Sequence, residues 1–117
     1  MRVVRRDEIG ALAGAVPAAE PGLDVAWLEG PTNGSALDAG LVRVAPGAAT
    51  PPHLHIGGQV IVVISGRGYV ETADERVVVG PGDVVISPPG ELHTHGADAA
   101  GPWAHLTVTT GGYRFSE

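Results

Sequence analysis

The sequence predicts an all-β domain of the sandwich or barrel class, and three observations carry that prediction. Short apolar runs recur along the chain with turn residues between them. The core has to be built from Val, because 16 Val stand beside only two Trp, two Tyr and one Phe. Finally, 18 Gly and 10 Pro are scattered singly and in pairs, as frequent tight turns require. At 117 residues there is room for one core, so any activity has to be housed within a single fold.

Taken in order, Arg2 to Arg5 reads as a first strand. Asp7 then caps a short helix in which Ile9, Leu12, Ala13 and Val16 recur at helical spacing until Pro17 stops it. Strand runs follow at Val25 to Leu28, Leu41 to Ala45, Val60 to Ser65, Gly68 to Thr72, Arg76 to Val79, Val84 to Ser87 and Trp103 to Thr109. Segments such as Gly30-Pro31-Thr32-Asn33-Gly34, Gly80-Pro81-Gly82-Asp83 and Pro88-Pro89-Gly90 supply the turns. Residues 1–35 therefore form an N-terminal extension and residues 36–112 a barrel, within one domain. Val60-Ile61-Val62-Val63-Ile64 is apolar on both faces, so both sides of that strand should be covered, and a homodimer would cover an outer one.

Composition excludes several functions. Seven Arg, no Lys and thirteen acidic residues give a net charge of −6, and only Arg5-Arg6 pairs two cations, so a nucleic-acid partner is not expected. The absence of Cys removes disulfides, thiolate nucleophiles and Cys-based zinc sites. No apolar run approaches the roughly 20 residues of a membrane span. Met1 to Arg6 is basic and Ala15-Val16-Pro17-Ala18-Ala19 vaguely resembles a cleavage site, yet Asp7, Glu8, Gly10 and Gly14 spoil a leader, so the expected compartment is the cytoplasm. There is no Gly-x-Ser-x-Gly elbow, and without Lys there is no phosphate-binding Walker loop.

The histidines carry the chemistry. All five lie in the second half, and four form two His-x-His pairs, His53/His55 and His93/His95. Side chains two apart on a strand share a face, about 6.6 Å between Cα atoms at a rise of about 3.3 Å per residue, so each pair can converge on one point. A lone His is ordinarily a surface residue, but five in this grouping with no Cys to compete point to a divalent metal held on imidazole and oxygen.

Here the sequence resembles the cupins. Gly47-(five)-His53-x-His55-(three)-Gln59-(six)-Gly66 looks like their first motif, with Gln59 where many members have Glu. Gly82-(five)-Pro88-x-Gly90-(two)-His93 looks like the second, except that Ala97 stands where Asn commonly ends it. The resemblance covers about residues 40 to 110. It implies a double-stranded β-helix, or jelly-roll, barrel with the site in its mouth and the ligand set His53, His55, Gln59 and His93. It also implies one divalent first-row metal per chain, Mn first, with Fe, Ni, Zn or Co as others. A neutral Gln59 leaves the ion its full charge, which favours Lewis-acid work over a high-valent metal.

Around that set, His95 shares parity with His93 and faces the same cavity, as a fifth donor, a neighbouring partner or a proton shuttle. In Trp103 to Thr109, alternation puts Trp103, His105, Thr107 and Thr109 on one face, where His105 is a candidate general base. Gly40, Val42 and Val44 would form a smooth wall opposite Ile61, with Thr50 at the entrance orienting substrate. Such a pocket, lined by Val42, Thr50, Ile61, Trp103 and Thr109, suits a small, partly apolar molecule.

The pattern most resembles small bacterial cupins that include manganese-dependent hydroxynitrile lyases. That likeness implies a lyase in which the metal holds the cyanohydrin or aldehyde oxygen, His105 is the base, Thr50 and His95 orient, and Val42, Ile61 and Thr109 shape the pocket, although Thr94 stands where relatives often carry an aromatic. A mononuclear dioxygenase, an isomerase or cyclase, and a non-catalytic metal-binding sensor are the other readings.

Overall fold

The computed structural model describes residues 1–9, 22–32 and 34–115. Ten strands carry the fold: β1 (Leu23–Glu29), β2 (Asp38–Val44), β3 (Leu54–His55), β4 (Gln59–Ser65), β5 (Gly68–Glu71), β6 (Arg76–Val79), β7 (Val84–Ser87), β8 (Thr94–Ala97), β9 (Trp103–Thr109) and β10 (Tyr113–Arg114). One layer is a five-stranded antiparallel sheet in the order β1-β2-β9-β4-β7. The other contains β6-β5-β8 and the ribbon β10-β3. Residues 48–53 tie these two pieces together, since Ala49 bridges Gly96 and His53 bridges His93. The result is the two-layered all-β barrel that the apolar runs and turns predict.

Alternation in the large sheet decides what faces inward. Gln59, Ile61 and Val63 of β4 are buried, whereas Val60 and Ile64 between and beside them are exposed. Register then stacks inward residues across strands: Val42 and Val63 both pair with His105, and Gly40 and Ile61 both pair with Thr107. The dry core is Val42, Val44, Ile61, Val63 and Trp103 from this sheet against Val70, Val79 and Ala97 from the other. The layers touch closely at Gly68, where an added Cβ would lie 2.3 Å from the Trp103 ring. No side chain fits there, so a glycine lets the indole lie flat against the backbone.

One expectation is corrected. Residues 2–5 form no strand; they have no ladder partner among the described residues, and Val3 stays 54% exposed. A helical turn covers residues 6–9, starting one residue before Asp7, with the Ile9 amide donating to the Arg5 carbonyl. The rest of the expected helix, including Leu12, Ala13 and Val16, lies outside the described residues. The first strand of the large sheet starts at Leu23, and β1 pairs with β2 along nearly its whole length. Among the described residues no helix is long and apolar enough to cross a membrane.

Candidate metal centre

His53 and His93 meet across an antiparallel bridge in which each amide donates to the other's carbonyl, at 2.9 and 2.8 Å. Two residues on, β3 carries His55 and β8 carries His95, so the two His-x-His pairs turn their rings to the same interior point. The ligand atoms of His53, His55, His93 and His95 all lie within 4.8 Å of one another. Ring centroids are 5.0 Å apart for His53 and His55, 4.8 Å for His53 and His93, and 4.6 Å for His93 and His95.

Hydrogen bonds behind the rings choose the tautomers. His53 Nδ1 donates to the Pro51 carbonyl at 2.8 Å and His93 Nδ1 to the Glu91 carbonyl at 2.9 Å. In a neutral imidazole this puts the lone pair on Nε2, the atom turned toward the cluster. Burial keeps the rings neutral: it lowers His53, and it brings His55 and His93 to about 4 with help from the neighbouring imidazoles.

Gln59 supplies the oxygen. Its Nε2 donates to Thr107 Oγ1, which fixes the amide so that Oε1 sits 3.1 Å from His93 Nε2. With His93 Nδ1 already donating, that contact sets one acceptor against another. A proton or a metal cation is what stabilises it, and with a pKa of about 4 the proton is absent near neutrality. Two donors each about 2.1 Å from one ion, at a right angle, would stand about 3 Å apart. His55 Nε2 and both ring nitrogens of His95 are likewise buried without a hydrogen-bond partner, a costly state that a bound cation relieves. His53, His55, His93 and Gln59 thus fit a divalent first-row metal, and His95 stands beside them.

His105 lies deeper, against this group. Its ring stacks on His95 with centroids 5.7 Å apart and lies tilted by 47° against Trp103 at 4.5 Å. Neither ring nitrogen makes a well-formed hydrogen bond. Burial pushes His105 down to about 4, offset slightly by the Leu106 backbone, and holds His95 well below its ordinary value with the other imidazoles adding to the effect. Two neutral imidazoles therefore stand behind the centre, each able to accept a proton.

The remaining expected residues are placed as follows. Val42 and Ile61 lie on the inner face on either side of β9. Trp103 is wholly buried and forms the floor under His105. The Thr50 hydroxyl accepts from the His95 amide at 3.0 Å, which leaves its own proton free to donate. Thr109 pairs with Gln59 and borders a shallow surface hollow that also reaches Gln59 and Ser87. A second hollow is bordered by Leu54, Ile56, Pro89, Gly90 and Arg114. The imidazole rings wall neither hollow, so the chemical reading rests on the convergence of the histidines and not on a cleft.

Sequence reasoning placed Thr107 on the histidine face but gave it no task, and it assigned none to the Pro51 and Glu91 carbonyls. Parity along β9 could have suggested the first. The two carbonyls carry no residue-type signal, because any backbone supplies one.

Residues 40–109 match the family described as the Cupin domain. A cupin-like protein from Thermotoga maritima superposes with a TM-score of 0.73 at 31% identity, covering 79% of this chain and 74% of that one. (R)-mandelonitrile lyase from Granulicella tundricola is 41% identical over 75 residues, which are 62% of this chain and 57% of the lyase. Gentisate 1,2-dioxygenase from a Ralstonia species is 32% identical over 75 residues, 63% of this chain and 21% of the dioxygenase. The chain thus spans little more than half of the first curated relative and about a fifth of the second.

Proposed function

The chain belongs to the cupin family, and from that premise we propose that it is a metal-dependent enzyme acting on a small, partly apolar molecule, with cyanohydrin cleavage as its reaction. The observation that carries this reading is the convergence of His53, His55, His93 and His95, with the Gln59 oxygen at His93 and a further neutral imidazole, His105, stacked against His95. When bound, a divalent ion supplies Lewis acidity toward a substrate oxygen. Everything else falls to the protein's own groups.

His105 takes the hydroxyl proton of the cyanohydrin. As the C=O bond forms, the bond to the nitrile carbon breaks, and cyanide departs with that electron pair. The proton returns to cyanide, giving an aldehyde and hydrogen cyanide in balance. A base whose pKa lies below neutrality is unprotonated and ready, and its proton is easily given back. His95, its backbone clamped by Thr50, steadies the His105 ring, while Val42 and Ile61 give the substrate an apolar wall. Manganese is the proposed metal and a homodimer the proposed assembly, its partner copy covering exposed Val60, Ile64, Val84 and Ile86.

Mandelonitrile cleavage by the Mn-loaded protein tests this. In His105→Ala we expect kcat to fall by about 10²-fold or more with metal content unchanged. Absence of turnover together with O₂ consumption on gentisate would transfer the site to the dioxygenase reading, which the neutral Gln59 disfavours.

A further inference from the structure

Past the last residue matched to the family, the chain reverses through Gly111 and Gly112 and returns to the histidine centre. Both glycines have positive φ, 80° and 77°, a conformation side-chain-bearing residues rarely adopt, so the reversal is built into the sequence. β10 then pairs with β3, setting Tyr113 opposite His55. The Ile56 amide donates to the Gly112 carbonyl at 3.0 Å and the Gly57 amide to the Thr110 carbonyl at 2.9 Å, which anchors the reversal.

The Tyr113 ring lies 6.5 Å from that of His55, and Phe115 packs edge-on against Tyr113 at 5.5 Å. His93, His95 and His105 are buried, whereas His55 is half-buried and His53 lies at the margin, so the edge formed by these two, away from His105, is the more open side of the centre. Yet Tyr113 and Phe115 are each 61% exposed. In a chain with one Phe, two Tyr and two Trp, two such rings held edge to face beside the site add little to the core and offer a surface on which a planar ring stacks.

We propose that Tyr113 and Phe115 form an aromatic wall at the entrance that selects a substrate carrying an aromatic ring, with the substrate's oxygen function directed at the histidines. The proposal rests on the metal-dependent reading above and assigns these residues specificity, not catalysis.

Benzaldehyde and propanal, titrated by ligand-observed NMR onto Mn-free, Zn-loaded protein, test it without turnover. In Tyr113→Ala, benzaldehyde should bind about three- to tenfold more weakly, in keeping with the loss of one aromatic contact. Propanal affinity and metal content should not move, and Tyr113→Phe should restore the wild-type value. Equal effects on both aldehydes, no effect on either, or no binding of benzaldehyde to the wild type would overturn the wall. Benzaldehyde binding as expected without mandelonitrile cleavage would remove the lyase reading and leave the wall standing. Cleavage by Tyr113→Ala with unchanged KM would do the reverse.

Discussion

The two ends of β9 sit in opposite surroundings. At Trp103 the barrel is dry: the indole is wholly buried among Val44, Val63, Val79 and Ala97. Two to four residues further on, His105 and Thr107 face a polar interior of imidazoles and an amide oxygen. One inward alternation builds both ends, yet they differ in sign. At the first, burial of a large apolar surface outweighs one unpartnered indole N–H, whereas the second gathers several lone pairs that oppose folding until something neutralises them. The barrel can hold this group because its apolar end carries the stability.

Breaking the dry end should have the largest effect. Trp103→Ala is expected to lose about 3–5 kcal/mol by urea unfolding, since a fully buried indole leaves a cavity between the layers. A loss below about 1 kcal/mol would mean that the floor is not the keystone.

Acid acts on the polar end. His105 titrates at about 4 in the folded protein against 6.5 ordinarily. Between those values the unfolded chain holds a proton that the folded one lacks. Stability is therefore full above about pH 6.5 and declines as pH falls toward 4, by on the order of 3 kcal/mol for His105 alone. Urea unfolding of metal-free protein at pH 7.5 and 4.5 would show it, and a flat profile would contradict the burial of neutral imidazoles.

The smallest effect is the most local. Thr107→Val frees the Gln59 amide to turn, and metal affinity by calorimetry should weaken about tenfold. Stability should fall by only about 1–2 kcal/mol, since the wall keeps its shape while the buried Gln59 amide loses its acceptor.

Legibility in the sequence followed the same division. Runs such as Val60 to Ser65 and Trp103 to Thr109 announce themselves because burial imposes alternation on them. β3, β8 and β10 do not: Leu54–His55, Thr94–Ala97 and Tyr113–Arg114 have two to four residues each and are strands only because distant partners pair with them. Arg2 to Arg5 shows the converse, local strand character without a partner. The His-x-His spacing was legible because two-residue periodicity fixes a shared face before any tertiary contact is known. The Gln59 to Thr107 bond joins residues 48 apart, and only the β4 to β9 register brings them together. Tyr113 at His55 was hidden for the same reason, since its place depends on the reversal at Gly111 and Gly112.

Whether His53, His55, His93 and Gln59 form one metal centre is decided by elemental analysis of untagged protein beside Gln59→Ala and His93→Ala. About one first-row metal ion per chain is expected in the wild type, with loss of it in both variants, which remain folded. A folded wild type that carries no metal and refuses loading with Mn, Fe or Zn would contradict that centre.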